Sequence, residues 1–400
     1  MTERTGIVLL ILGSLLLGFR PVPGATGGQR PFFEAREKQT GYEGPGPDEP
    51  EPKDLKEVRI GYFGPSDPGH PQGGDIWRAV NLAVEEANAE GGYRGLPFVL
   101  VPGWAENPWG NGVNLVARMV YVDRVWAIIG GIDGPSTHLA EQVVAKARLT
   151  LINPASTDKT VNLANVPWMF SALPGDHLLA PALGDALLKE VGAEPFVLVS
   201  ATDHDSHQFL LELGKYLARR NASPACRFEF QSGGDNLSEL VQKSVAARPK
   251  ALAVIAGARD SASFVNELRS AGFEGKIFGG PAMGRRLFRE RLSIKAGSIY
   301  FPAIAGSCAS TDKFAQGFMT RYGVFPDYAA RYAYEGTRLL LSAICRSGLN
   351  RARIADAVRE LSPWKGTAAS IAWDPLGQNR IPVSLRPVST GGAATAVPCN

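Results

Sequence analysis

Cysteine is scarce in this chain. The four in 400 residues, Cys226, Cys308, Cys345 and Cys399, form no CxxC pair, and no Cys/His spacing suits zinc. Charge of either sign is in little excess: the formal net charge is +3 and Lys and Arg are scattered, which argues against nucleic acid as a partner. No apolar run reaches the ~20 residues of a membrane-spanning helix. Enzyme signatures are also missing: there is no GxSxG elbow, no GxxxxGK[ST] phosphate loop and no HExxH. The first strand is not followed by GxGxxG but by a long, proline-broken segment, FGPSDPGHPQGGD. Nothing places a nucleophile and a base together, so the chain is expected not to be an enzyme and to need neither metal nor cofactor.

What is present begins with Arg4 and the apolar run Ile7–Phe19, followed by small residues near Ala25. That pattern describes a secretory signal over residues 1–25, with an uncleaved anchor as the alternative. Residues 26–56 are rich in Gly, Pro and Glu and lack apolar periodicity, so a disordered linker is expected there. An exported body lies where cysteines can oxidise.

From Glu57 strands alternate with helices. VRIGYF (58–63) reads as a strand, and Ile76, Val80, Ala83, Val84 and Ala87 recur at helical spacing. Strands follow at 98–101, 125–130 and 150–153, with a helix through Val113, Val116 and Val120 and another after GIDGPST. The rhythm restarts with strands at 196–200, 227–230, 251–257 and 276–280, separated by helices at 206–220, 236–247 and 260–271. A third section has a strand at 297–302, helices near 311–322, 328–347 and 351–361, and closing strands near 370–373 and 383–387. The fold class is α/β: two doubly wound parallel-sheet lobes, each covered by helices.

In open α/β sheets ligands bind beyond the carboxyl ends of the strands. Those positions hold Asp133, Gly134, Ser136 and Thr137 after the third strand, and Ala155, Ser156 and Thr157 after the fourth. Asp203-His204-Asp205-Ser206-His207 follows FVLVS, and Arg259-Asp260 follows ALAVIAG. Helix-start amides favour an anion, while Ser136 and Ser156, taken alone, read first as helix caps. The DHDSH run carries two histidines, but no other strand end offers a matching His or Cys, so it reads as a polar loop with a ligand contact and not as a metal site.

An ordered set of segments carries a resemblance: VRIGYFGP, AVNLAVEEANAEGGYRG, VWAIIGGIDGPSTHLA, LINPASTDKT, MFSALPGDHLLAPALGDALL, FVLVSATDHDS, ALAVIAGARDSASFVNELRSAGFEGKIFGG, YAYEGTRLLLSAI and GTAASIAWDPLGQNR. In this order, from Glu57 to about Val388, they resemble the leucine/isoleucine/valine-binding proteins of ABC transporters, of the type I periplasmic binding fold. The resemblance implies an exported, periplasmic, monomeric solute-binding protein. It would close two lobes on a small polar ligand (an amino acid, an amide or a small carboxylate) and deliver it to an ABC permease. The alternative on the same fold is a ligand sensor signalling to a membrane partner.

The resemblance implies chain crossings near Phe170–Leu173, Tyr300–Ala303 and Gly366–Ala369. The lobes are then 57–170 with 303–366, and 171–302 with 367–390, leaving a tail at 391–400. It also implies that the ligand carboxylate is held near Gly134, where the family usually has serine, with the contact passing to Ser136 or the backbone, and at Ala155 to Thr157. The family's aromatic contacts fall on Asp205 and on Tyr334. One departure concerns the ligand ammonium: the acid the family places after the strand matching KIFGG is here Pro281, followed by Ala282. A buried ammonium without an anionic partner is costly, so Asp205, Asp133 or Asp260 must substitute or the ligand is not an α-amino acid. The implied crossings also sort the cysteines by lobe. A bridge between lobes would resist hinge motion, which leads to Cys308–Cys345 and Cys226–Cys399 as the expected pairs.

Overall fold

The computed structural model describes residues 46–234, 237–293, 298–304 and 312–388. Two sheets organise it. The first has the order β2-β1-β3-β4-β5, from β1 (Val58–Phe63), β2 (Phe98–Gly103), β3 (Ala127–Gly130), β4 (Thr150–Asn153) and β5 (Met169–Ser171), all parallel. The second has the order β13-β10-β9-β8-β6-β7. Its strands are β6 (Phe196–Ala201), β7 (Cys226–Phe230), β8 (Ala251–Ile255), β9 (Lys276–Gly279), β10 (Ile299–Ile304) and β13 (Val383–Pro387). Only β13 runs antiparallel, against β10. The central strands β3, β4, β6 and β8 are buried at every residue, which explains their continuous apolar runs.

Helices cover both sheets. They are α1 (Gly74–Ala89), α2 (Val113–Tyr121), α3 (Gly134–Ala147), α4 (Asp176–Val191), α5 (His204–Arg219), α6 (Ser238–Ala246), α7 (Ala258–Ser270), α8 (Arg286–Arg291), α9 (Lys313–Tyr322), α10 (Tyr328–Ser347) and α11 (Arg351–Glu360). The apolar stripe of α1, including Ile76, Val80 and Ala83, is buried and packs on α10 of the same lobe. In the second lobe α4 packs on α5. Among the described residues no helix is long and apolar enough to cross a membrane.

The chain passes from the first sheet to the second between Ser171 and Phe196, and leaves the second after Ile304. The segment Gly366–Ala369, expected at the third passage, is instead the turn of a hairpin, β11 (Trp364–Lys365) and β12 (Ser370–Ile371). This hairpin is tied to α10: Ala368 N donates to Glu335 Oε1 at 2.5 Å and Trp364 Nε1 to Glu335 Oε2 at 2.8 Å. The third passage therefore comes later, between Ile371 and Val383, where Gln378 bridges to Ser171.

The last part of the expected linker is not free either. Asn350 Nδ2 donates to Gly46 O at 3.0 Å, and Glu51 Oε2 accepts from the Tyr93 hydroxyl at 2.7 Å and from Arg94 at 3.1 Å. Polar groups supplied by the body hold residues 46–51 where apolar periodicity is lacking. The export signal, the rest of the linker up to residue 45, the tail at 391–400, Cys308 and Cys399 lie outside the described residues. Cys226, half-buried, and Cys345, exposed, are free thiols in the structure.

Candidate functional site

A cleft of about 250 Å³ lies between the carboxyl ends of the two sheets. From the first lobe it is lined by Asp133, Ala155, Ser156 and Thr157, and from the second by Asp203, His204, Asp205, Pro281 and Arg285. These are the loops after β3, β4, β6 and β9, which is where parallel sheets present ligand-binding groups.

The loop after β3 turns through Gly131, whose φ of +82° places it in the left-handed region that glycine tolerates. Asp133 then caps α3: its Oδ1 accepts from Ser136 N at 2.9 Å, and Ser136 Oγ accepts from Asp133 N at 3.3 Å. Ser136 is fully buried in this capping box and does not line the cleft. The free amide at the helix start is that of Gly134, and it is taken. Asp205, from the opposite lobe, accepts it through Oδ1 at 2.9 Å. A side chain at position 134 would collide with Asp205, its built Cβ falling 2.5 Å from Oδ1, so glycine here permits the approach of the lobes.

After β4 the pattern repeats. Asn153 Oδ1 accepts from Ala155 N at 3.0 Å and Ser156 N at 2.9 Å, satisfying both amides within the loop. The hydroxyl of Ser156 accepts from Asp158 N at 3.1 Å. Thus the backbone groups that the resemblance assigns to a ligand carboxylate already hold carbonyl and carboxylate oxygens of the protein itself.

After β6, Asp203 caps α5 by accepting from Ser206 N at 3.0 Å. Asp205 is not the cap, and its side chain is available to the cleft. It sits deep between the lobes with part of its surface open to the cavity, and burial together with the nearby Asp133 raises its pKa well above the usual carboxylate value. Asp176, at the start of α4, is likewise raised by burial, with Asp205 and Asp158 adding to the shift. Three carboxylates, Asp133, Asp203 and Asp205, thus line the cleft.

Other contacts close the two lobes on one another. Arg286 Nε donates to Asp75 Oδ2 at 2.6 Å and Lys159 Nζ pairs with Glu212 Oε1 at 2.8 Å. Arg285 Nε donates to Asp327 Oδ2 at 2.7 Å and Arg285 Nη2 to Gln72 O at 2.6 Å. Asp327, almost wholly buried, also caps α10 through Ala330 N.

Two sequence-derived candidates lie elsewhere. Arg259 is exposed outside the cleft lining. Tyr334 is buried within the first lobe, its ring against Phe314 and its hydroxyl donating to Glu86. Asp260 accepts from Ser232 Oγ at 2.6 Å and from Gly233 N at 3.1 Å and does not line the cavity.

The structure adds a cluster that the strand ends did not suggest. His204 Nε2 lies 2.7 Å from Asp158 Oδ2, and His138 Nε2 lies 3.1 Å from the same oxygen and 2.9 Å from Thr160 Oγ1. Burial alone would lower the His138 pKa, but hydrogen bonds and charge from Asp158 and Glu141 outweigh it and push it up to about 9. Burial would raise Asp158, yet its bonds from His138, Thr160 and His204 hold it well below the usual carboxylate value. His138 lies inside α3 and Asp158 four residues beyond the LIN-Pro turn, so only their spatial convergence with His204 reveals the group.

Comparison with known proteins places the fold. LivJ from Streptococcus pneumoniae, solved with isoleucine, superposes with a TM-score of 0.76 at 18% identity, covering 84% of this chain and 97% of that one. LivK from Thermotoga maritima, a leucine binding protein, superposes with a TM-score of 0.74 at 21% identity, covering 83% and 95%. In sequence, an amino acid binding protein of Pseudomonas aeruginosa is 26% identical over 227 residues. That match spans 56% of this chain and about half, 54%, of the relative's length. The family model described as periplasmic binding protein matches residues 57–391, which is most of the chain. With two α/β lobes around a cleft and this match along both, the chain belongs to the periplasmic binding protein family, as a binding protein and not an enzyme.

Proposed function

We propose that the chain captures a small polar solute bearing a positively charged group, an amino acid or a compound of that size, outside the cytoplasm and passes it to an ABC permease. The observation that carries this reading is Asp205, a cleft carboxylate supplied by the loop after β6, where the family places an aromatic contact. It compensates for Pro281, which offers no charge to an ammonium. With Asp133 and Asp203 in the same lining, the cleft favours a cation and disfavours a free anion. An entering ammonium offers Asp205, which already accepts from Gly134 N, an opposite charge among the neighbouring acids. A cavity of about 250 Å³ lies below the roughly 300–1,000 Å³ of sites for drug-sized ligands, so the solute is small. The similarity to an amino acid binding protein of Pseudomonas aeruginosa and to LivJ, solved with isoleucine, supports the amino-acid class.

A thermal-shift screen tests this with amino acids, amines, amides and small carboxylates. Stabilisation should rise as the logarithm of concentration above the dissociation constant. It should appear for solutes carrying an ammonium or amidinium group and be absent for simple carboxylates. A response restricted to anions, or to oligosaccharides, contradicts the proposal.

A further inference from the structure

Three donor atoms converge at the edge of the cleft: His138 Nε2, one oxygen of Asp158, and His204 Nε2, all within 4.8 Å of one another. Both imidazoles point the same nitrogen at a single oxygen, Asp158 Oδ2, at 3.1 and 2.7 Å. Two of the donors belong to the first lobe, from α3 and the loop after β4, and the third opens α5 of the second lobe. The Asp158 side chain is fully buried, while His138 is 25% and His204 36% exposed and His204 lines the cleft, so the cluster is anchored on the inside and reachable through its histidines.

A second observation points to a ligand. Glu141, one turn along α3 from His138, is 95% buried by its 5% exposure, and its Oε2 lies 3.5 Å from His138 Nδ1. Its other oxygen, Oε1, has no hydrogen-bond partner. A buried carboxylate behind the far nitrogen of a histidine holds Nδ1–H, the usual arrangement around metal-bound histidines, so a metal ion that displaces the proton shared between His138 Nε2 and Asp158 meets an oriented nitrogen ligand.

We propose that His138, Asp158 and His204 bind a divalent metal ion of the zinc and nickel class, which clasps the two lobes together. Two imidazoles and one carboxylate suit these borderline metals and not magnesium or calcium, which take all-oxygen sites. Bonds of about 2.0–2.1 Å to nitrogen and oxygen in a tetrahedral arrangement need donors about 3.3 Å apart. The two contacts to Asp158 Oδ2 therefore lengthen by a few tenths of an ångström, and the two imidazole nitrogens, within 4.8 Å of one another, settle at the same spacing. Of the three ligands His204 lines the cleft, so the site borders it. The metal site stands independently of which solute the cleft takes.

The test is calorimetric titration of Zn²⁺ and Ni²⁺ into the tag-free full-length protein after removal of metal by a chelator. One saturable equivalent is expected. His204→Ala and His138→Gln should each weaken binding at least 100-fold, and Glu141→Gln about 10-fold, within the range for groups that orient a ligand. His207→Ala, altering an exposed neighbour on α5, should leave binding unchanged. His204 is partly on the surface, so its variant keeps the fold, and circular dichroism verifies this. Absence of saturable binding to the unaltered protein, or binding that survives both histidine substitutions, overturns the proposal. Solute titrations run in excess chelator separate this outcome from the solute-binding reading, which stands or falls without metal.

Discussion

Replacing Asp205 with Asn isolates the charge that the proposed function depends on. The amide oxygen can still accept from Gly134 N, which lies 2.9 Å from the present carboxylate, so the contact between lobes is kept. The repulsion that Asp133 exerts on this group disappears. Apo stability should therefore be unchanged or slightly higher. A cationic solute, by contrast, loses its partner. Truncating one side of a buried charge pair across an interface costs about 2–5 kcal/mol. Asp205 is partly open to the cleft, and Asp133 and Asp203 remain in the lining, which places the loss at the lower end, about 2–3 kcal/mol. At ~1.4 kcal/mol per tenfold, the dissociation constant should rise roughly 30- to 150-fold. Isothermal titration on the unaltered and Asp205→Asn proteins, with melting curves of both apo forms, measures the two effects separately. An affinity within threefold of the original, or a lowered apo melting temperature with unchanged affinity, would refute the assignment of Asp205 to the solute.

Asp327→Ala strands the Arg285 guanidinium, whose side chain is only 12% exposed, and should cost about 3–5 kcal/mol of stability in urea unfolding. Burial would raise the Asp327 pKa, but Arg285 and the backbone amides lower it below the usual carboxylate value; its contribution is thus present above about pH 3.9 and is lost as pH falls, a loss that the Ala variant should not show in acid titration. Gly134→Ser, restoring the residue the family usually has, puts a side chain against Asp205 and His204 and should weaken solute binding by about tenfold or more in titration, one tenfold being ~1.4 kcal/mol, within the range for overpacking. We further propose that the exported protein pairs Cys308 with Cys345 and Cys226 with Cys399; peptide mapping without reduction should recover those two linkages, and a Cys226–Cys345 bridge would contradict them.

Much of the fold was legible because buried parallel strands are continuous apolar runs. VRIGYF, FVLVS and ALAVI announce themselves, and α1 and α10 carry plain helical periodicity. The stretch between β4 and β6 was not legible from pattern. Strand β5 is three residues long, and α4 contains Pro181, which breaks the expected signature of a helix interior. The candidate site was half legible. Asp133, Ala155, Ser156, Thr157 and Asp205 do line the cleft, because strand ends can be located from the strands. What the sequence withheld was the competition for each polar group. Asn153 claims the amides of Ala155 and Ser156, and Asp203 caps α5, which leaves Asp205 to the cleft. The His138–Asp158–His204 group was hidden for another reason: its members lie 20 and 46 residues apart and on opposite lobes, so no spacing rule joins them.

The most direct test of the account is a crystal structure of the chain with the solute that stabilises it most. The account predicts one solute molecule, chemically unchanged, between the lobes, with its positive group within hydrogen-bonding distance of Asp205. A solute bound outside the cleft, an anionic group facing Asp205, or a chemically altered product in the site would contradict it.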